Sequence, residues 1–125
     1  MQLNQYDHII LLAHGSSDAN WKRPFESLLA NVTGDVSKDK VSLAYMELCS
    51  PSIEDILNTL PTDKKNIAVY PLFFAKGRHL RVDVPKQLET LTNQYRTLTL
   101  LEPIGDNPEV VQAMEGAIIS KLTPS

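Results

Sequence analysis

Short, nearly unbroken apolar runs alternate along this chain with stretches whose apolar residues recur every three or four positions. The first run is His8-Ile9-Ile10-Leu11-Leu12-Ala13, ending at His14-Gly15-Ser16-Ser17. A strand covered on both faces in a parallel sheet reads this way, because neither face meets water. Trp21, Phe25, Leu28, Leu29 and Val32 follow at helical spacing, and Gly34-Asp35 breaks that stretch. Val41 to Met46 predicts a second strand. Ser50 predicts the N-cap of the next helix, with Pro51 in its first turn and Ile53, Ile56, Leu57 and Leu60 on its apolar face. Pro61 stops that helix. Asn66 to Leu72 predicts a third strand, followed by a loop from Phe73 to Arg81 around Gly77. A helix over Val82 to Tyr95 turns Val84, Leu88 and Leu91 inward and tolerates Pro85 in its first turn. Thr97 to Leu101 is the fourth strand, Pro103 to Pro108 a turn. Val110, Val111, Met114, Ile118 and Leu122 mark a last helix.

Strand then helix, repeated four times, predicts an α/β fold: a four-stranded parallel sheet with helices on both faces. A length of 125 residues fits one domain over 1–125. The net charge of -3 gives no basic surface for nucleic acid. Cys49 is the single cysteine, so no intramolecular disulfide forms. Met1 to Asp7 is polar and unlike a signal peptide, and no apolar run reaches membrane-spanning length. These features point to a cytoplasmic protein without a membrane partner.

Ligands in open α/β sheets bind beyond the carboxyl ends of the strands. His14, Gly15, Ser16 and Ser17 follow the first strand and Glu47 the second. Lys76, Gly77, Arg78 and His79 follow the third, and Glu102 the fourth. Two histidines and two carboxylates therefore converge on one edge. Two neutral imidazoles hold a borderline divalent metal while leaving positions open, and a carboxylate adds a ligand or takes a proton. Each residue also has a structural reading. His14 and His79 would serve as loop histidines bonded to backbone, Glu47 as a solvated acid and Ser16 or Ser17 as helix caps. The basic Lys76, Arg78 and Arg81 would be solvated surface. Glu102 and His8 read as structural, and Cys49 as a small apolar residue.

Three blocks then become familiar. Ile9 to Asp18 with Trp21 and Pro24-Phe25, Ala44 to Leu48 with Pro51-Ser52-Ile53, and Val69 to Phe74 followed by Gly77 to Pro85 resemble the short sirohydrochlorin cobaltochelatases, in order and spacing. The resemblance spans about residues 8 to 110. It implies a chelatase-like three-layer sandwich, paired as a homodimer with the site between subunits. It also implies that a divalent metal (Co²⁺, Fe²⁺ or Ni²⁺) is inserted as substrate into a sirohydrochlorin-type tetrapyrrole, in cobalamin or siroheme-type biosynthesis, without organic cofactor or ATP. His14 and His79 carry over as metal ligands and Glu47 as the acid beside them. Ser16, Ser17 and Arg78 are expected to meet the tetrapyrrole's carboxylates, with some of Leu12, Phe73, Phe74 and Leu80 lining its cleft and the others in the core. One departure is Ala75-Lys76-Gly77-Arg78, where the family pattern is richer in glycine. A metal- or tetrapyrrole-delivery protein on the same scaffold, without insertion activity, remains the alternative. A nucleotide binder is disfavoured, since the first loop has neither a Walker lysine nor a GxGxxG pattern.

Overall fold

A computed structural model describes residues 5–75 and 77–124, excepting the side chain of His79. The strands are β1 (His8–Ala13), β2 (Val41–Tyr45), β3 (Asn66–Pro71) and β4 (Thr97–Leu100). They pair in parallel in the order β2-β1-β3-β4. The helices are α1 (Ala19–Val32), α2 (Ile53–Thr59), α3 (Val84–Leu91) and α4 (Pro108–Leu122).

Alternation along the strands divides the core in two. Ile10, Leu12, Ala44, Ile67, Val69 and Leu98 face Ile53 and Leu57 of α2 and Val84 and Leu88 of α3. Leu11, Ala13, Val41, Leu43 and Tyr45 face Phe25, Leu29 and Val32 of α1. The three-layer α/β expectation therefore holds. His8 is buried at the amino end of β1, opposite the loops of interest. Its Nδ1 donates to the Asp39 carbonyl (3.0 Å), which leaves Nε2 to accept from the Ser42 hydroxyl (2.7 Å).

Three helix boundaries differ from the sequence reading. The α2 cap is Ser52 rather than Ser50. The Ser52 hydroxyl accepts from Asp55 N–H (3.1 Å) and the Asp55 carboxylate accepts from Ser52 N–H (2.9 Å), so two end donors are satisfied reciprocally. Pro51 consequently lies before the helix. On the β3–α3 connection, His79–Asp83 winds as a π-helical turn, and α3 proper starts at Val84. It ends at Leu91, not Tyr95. The Asn93 side chain accepts from the N–H groups of Tyr95 (2.7 Å) and Arg96 (2.9 Å), offering the backbone a turn instead of more helix.

Arg96, which no sequence pattern singled out, fastens this end of the molecule. Its guanidinium donates to the carbonyls of Leu57 (2.6 Å), Leu60 (2.9 Å), Pro61 (2.7 Å) and Lys64 (3.0 Å), closing the carboxyl end of α2. The fourth helix behaves differently. None of its residues is buried, and Ile118, Ile119 and Leu122 are exposed. Of the apolar residues expected on α4, Val110, Val111 and Met114 are half-buried, whereas the carboxyl-terminal Ile118 and Leu122 are left uncovered.

Candidate active site

The β1–β2 ladder runs past the ends of both strands. Met46 N–H donates to the Ala13 carbonyl (2.8 Å), and Glu47 N–H donates to the His14 carbonyl (3.2 Å). Parallel pairing thus sets Glu47 beside His14 at the carboxyl edge of the sheet. The chain then turns at Gly15, with φ at +97°, and a Cβ there would overlap the Glu47 carbonyl oxygen. Glycine meets both demands, the left-handed backbone and the close approach.

His14 is exposed, and its orientation is set from one side. Its ring stacks on Phe73, with centroids 4.6 Å apart and planes inclined by 19°. Phe73 is buried and in turn held from behind: its carbonyl accepts from Gly105 N–H (3.0 Å), in the 3₁₀ turn Ile104–Asp106. His14 stands between two clefts. One, about 460 Å³, is lined by His14, Gly15, Ser16, Trp21, Lys22, Phe25 and Tyr45. The other, about 380 Å³, is lined by His14, Phe25, Leu72, Phe73, Phe74, Ala75 and Gly77. His14 and Phe25 belong to both.

The other expected residues are placed unevenly. The backbone of His79 opens the π-helical turn, two residues after Gly77, which borders the second cleft with His14. The His79 side chain and all of Lys76 lie outside the described residues. Ser16 lines the first cleft, with its hydroxyl accepting from Asp18 N–H (3.0 Å). The cap of α1 is Asp18 rather than Ser16 or Ser17, since Asp18 accepts from Asn20 N–H (2.9 Å). Ser17, Arg78 and Glu102 are exposed and line neither cleft. Phe73 and Phe74 line the second cleft as expected. Leu12 and Leu80 do not: both are fully buried in the core against α2 and α3. Cys49 is half-buried and packs against the α1-side core. Among the described residues, no group of three or more His, Cys, Asp or Glu side chains is placed to hold a metal.

Trp21, Lys22 and Tyr45 were not expected at the site. Tyr45 is the last residue of β2 and is almost fully buried, yet its hydroxyl has no hydrogen-bond partner. Burial raises the phenol's pKa, and the charges of Glu26 and Cys49 push it the same way. The Lys22 ammonium sits 5.2 Å from the Tyr45 ring centroid and donates to the Ser50 carbonyl (3.2 Å). A lysine early in a helix reads as solvated, and a tyrosine ending a strand reads as core. Only the fold brings them together.

An exposed imidazole in a fixed plane, a carboxylate-bearing residue beside it and apolar walls to either side suit one kind of task. They can hold a borderline cation weakly against a flat apolar partner and accept protons from it.

Comparison with known proteins agrees with that chemistry. The CbiX family model matches residues 8–120. The sirohydrochlorin cobaltochelatase of Sulfurisphaera tokodaii is 28% identical over 121 residues, covering 94% of this chain and 95% of that protein. The sirohydrochlorin ferrochelatase of Bacillus subtilis is 25% identical over 85% of this chain, but only 42% of that longer protein is matched. The crystal structure of a CbiX protein from Marinobacter aquaeolei VT8 superposes with a TM-score of 0.80 at 41% identity, covering 92% of this chain and 93% of that one.

Proposed function

The chain belongs to the CbiX family, and from that premise we infer that it is an ATP-independent chelatase, inserting a divalent metal into sirohydrochlorin. The observation that carries this reading is the position of His14, exposed and stacked on Phe73 between two clefts, with Glu47 beside it. Cobalt is the first metal to expect, with iron or nickel as alternatives. The relatives named for their metal include both cobalt and iron enzymes.

In the reaction two pyrrole N–H bonds break, metal–nitrogen bonds form and two protons leave. His14 in its neutral form offers a nitrogen lone pair to the incoming metal. His79 is assigned as the second ligand. The loop that carries it borders the His14 cleft at Gly77. Glu47 is assigned the departing protons, as the carboxylate-bearing residue whose backbone pairs with that of His14. A two-histidine set binds borderline metals without closing their coordination, which suits a cargo that must be released to the ring. Ser16, at the rim of the first cleft, is a contact for the tetrapyrrole's carboxylates, whereas Ser17 and Arg78 line neither cleft.

We assign the working form as a homodimer of single-domain chains in the cytoplasm. The chain matches less than half of the Bacillus ferrochelatase but nearly all of the Sulfurisphaera enzyme. A second copy would supply what the second half supplies in the longer protein. Uncovered Ile118, Ile119 and Leu122 on α4 and Leu28 on α1 offer apolar surface for it. Among the described residues, no helix is long and apolar enough to cross a membrane.

The test is anaerobic absorbance of sirohydrochlorin mixed with Co²⁺, Fe²⁺ or Ni²⁺, with and without protein. Accelerated metal insertion is expected. Binding of metal and tetrapyrrole without acceleration would make the chain a delivery protein instead.

A further inference from the structure

Lys22 has no part in the ligand set or the proton path, yet it stands in the wall of the larger cleft. That cleft reaches from His14 over Tyr45 to Trp21 and Phe25. Trp21 is 66% exposed although its neighbours on α1 turn toward the sheet, so its indole presents apolar surface to the solvent side of the cleft. Among the described residues lining the two clefts, Lys22 is the only lysine or arginine. Its ammonium is held from two directions, by the Ser50 carbonyl at 3.2 Å and by the face of Tyr45 at 5.2 Å. An ammonium has three N–H donors, and the Ser50 carbonyl takes one. The tyrosine face offers attraction but no acceptor lone pair.

We propose that Lys22 is the carboxylate anchor of the tetrapyrrole: its ammonium pairs with a peripheral carboxylate while Trp21 and Phe25 pack against the ring edge. This rests on the chelatase reading and says which side of His14 receives the charged rim of the substrate. The role of the cleft is orientation. A cation at one fixed point in an otherwise apolar wall selects a ring that bears carboxylates at its periphery and fixes how it turns relative to His14. Tyr45 acts as a positioning residue, since its ring supports the ammonium. Arg78, the basic residue expected to meet the substrate's carboxylates, is exposed and borders neither cleft.

Trp21 is the only tryptophan in the chain, so its fluorescence reports binding at this cleft directly. The experiment titrates metal-free sirohydrochlorin into the wild-type protein, Lys22→Gln and Lys22→Arg, following quenching, and repeats the titration with the ring's carboxylates methyl-esterified. With sirohydrochlorin, Lys22→Gln is expected to weaken binding about tenfold, and Lys22→Arg to restore most of it. With the ester, wild type and Lys22→Gln are expected to bind alike. In insertion assays KM should rise by a larger factor than kcat falls. Equal affinity of wild type and Lys22→Gln for sirohydrochlorin, with quenching intact, would overturn this assignment alone. Metal insertion by the wild-type protein without any quenching would likewise overturn this assignment alone, whereas absence of both quenching and insertion would overturn the chelatase reading with it.

Discussion

Gly15 packs against the backbone of Glu47 so closely that a single methyl group would displace one or the other. The two residues lie just beyond the ends of neighbouring strands, and their contact fixes the spacing between His14 and the loop that carries Glu47. Gly15→Ala would also force a side chain into a backbone with φ at +97°. We expect it to cost about 1–3 kcal/mol from backbone strain alone. Metal insertion should fall by more than the loss of folded protein explains. Denaturant melts and insertion rates on the same preparation check both parts.

Tyr45→Phe should act in the opposite direction on stability. The hydroxyl is buried without a partner, and a buried unsatisfied polar group costs about 1–3 kcal/mol. Removing it keeps the ring under Lys22 and eliminates that cost. The expected result is a melting temperature equal to or above that of the wild type. A clear decrease would mean that the hydroxyl is satisfied in solution.

His8 makes stability depend on pH at the far end of the sheet. Burial lowers its pKa below the ordinary value of about 6.5. The hydrogen bond to the Asp39 carbonyl opposes this, Lys64 and Arg96 add to it, and the Asp39 charge opposes it. The unfolded chain therefore binds a proton at a higher pH than the folded one. Stability is unaffected well above pH 6.5 and falls as pH drops below it, by at most about 1.4 kcal/mol per pH unit until the folded-state pKa is passed. Urea midpoints between pH 7.5 and 5 should show this slope in the wild type. It should be reduced in His8→Asn, which cannot titrate there.

The sheet was legible because β1, β2 and β3 carry runs apolar enough to show their burial, β4 alternates as an edge strand does, and the β-α repeat dictates parallel order. His14 and Glu47 were legible as partners for the same reason. Residues that follow adjacent parallel strands must meet at one edge. Helix ends were less so, since the caps depend on side chains three residues apart choosing each other, as Ser52 and Asp55 do. Leu12 and Leu80 show the limit of reading a cleft from apolar residues near a site: strand alternation and the turn before α3 send both into the core. Lys22 was invisible because its setting depends on β2 and α1 crossing at one point. The apolar residues of α4 were legible, but sequence periodicity does not say which surface covers the exposed ones.

His14 is proposed to serve metal insertion. This role is tested most directly by following sirohydrochlorin absorbance with Co²⁺ under anaerobic conditions, for wild type and His14→Ala at equal concentrations of folded protein. The ring is exposed and stacks on Phe73 at the surface, so its loss should leave the fold standing. Insertion by the wild type well above the uncatalysed rate, reduced about 100-fold or more in His14→Ala, is the predicted result. Equal rates in the two proteins would contradict the account.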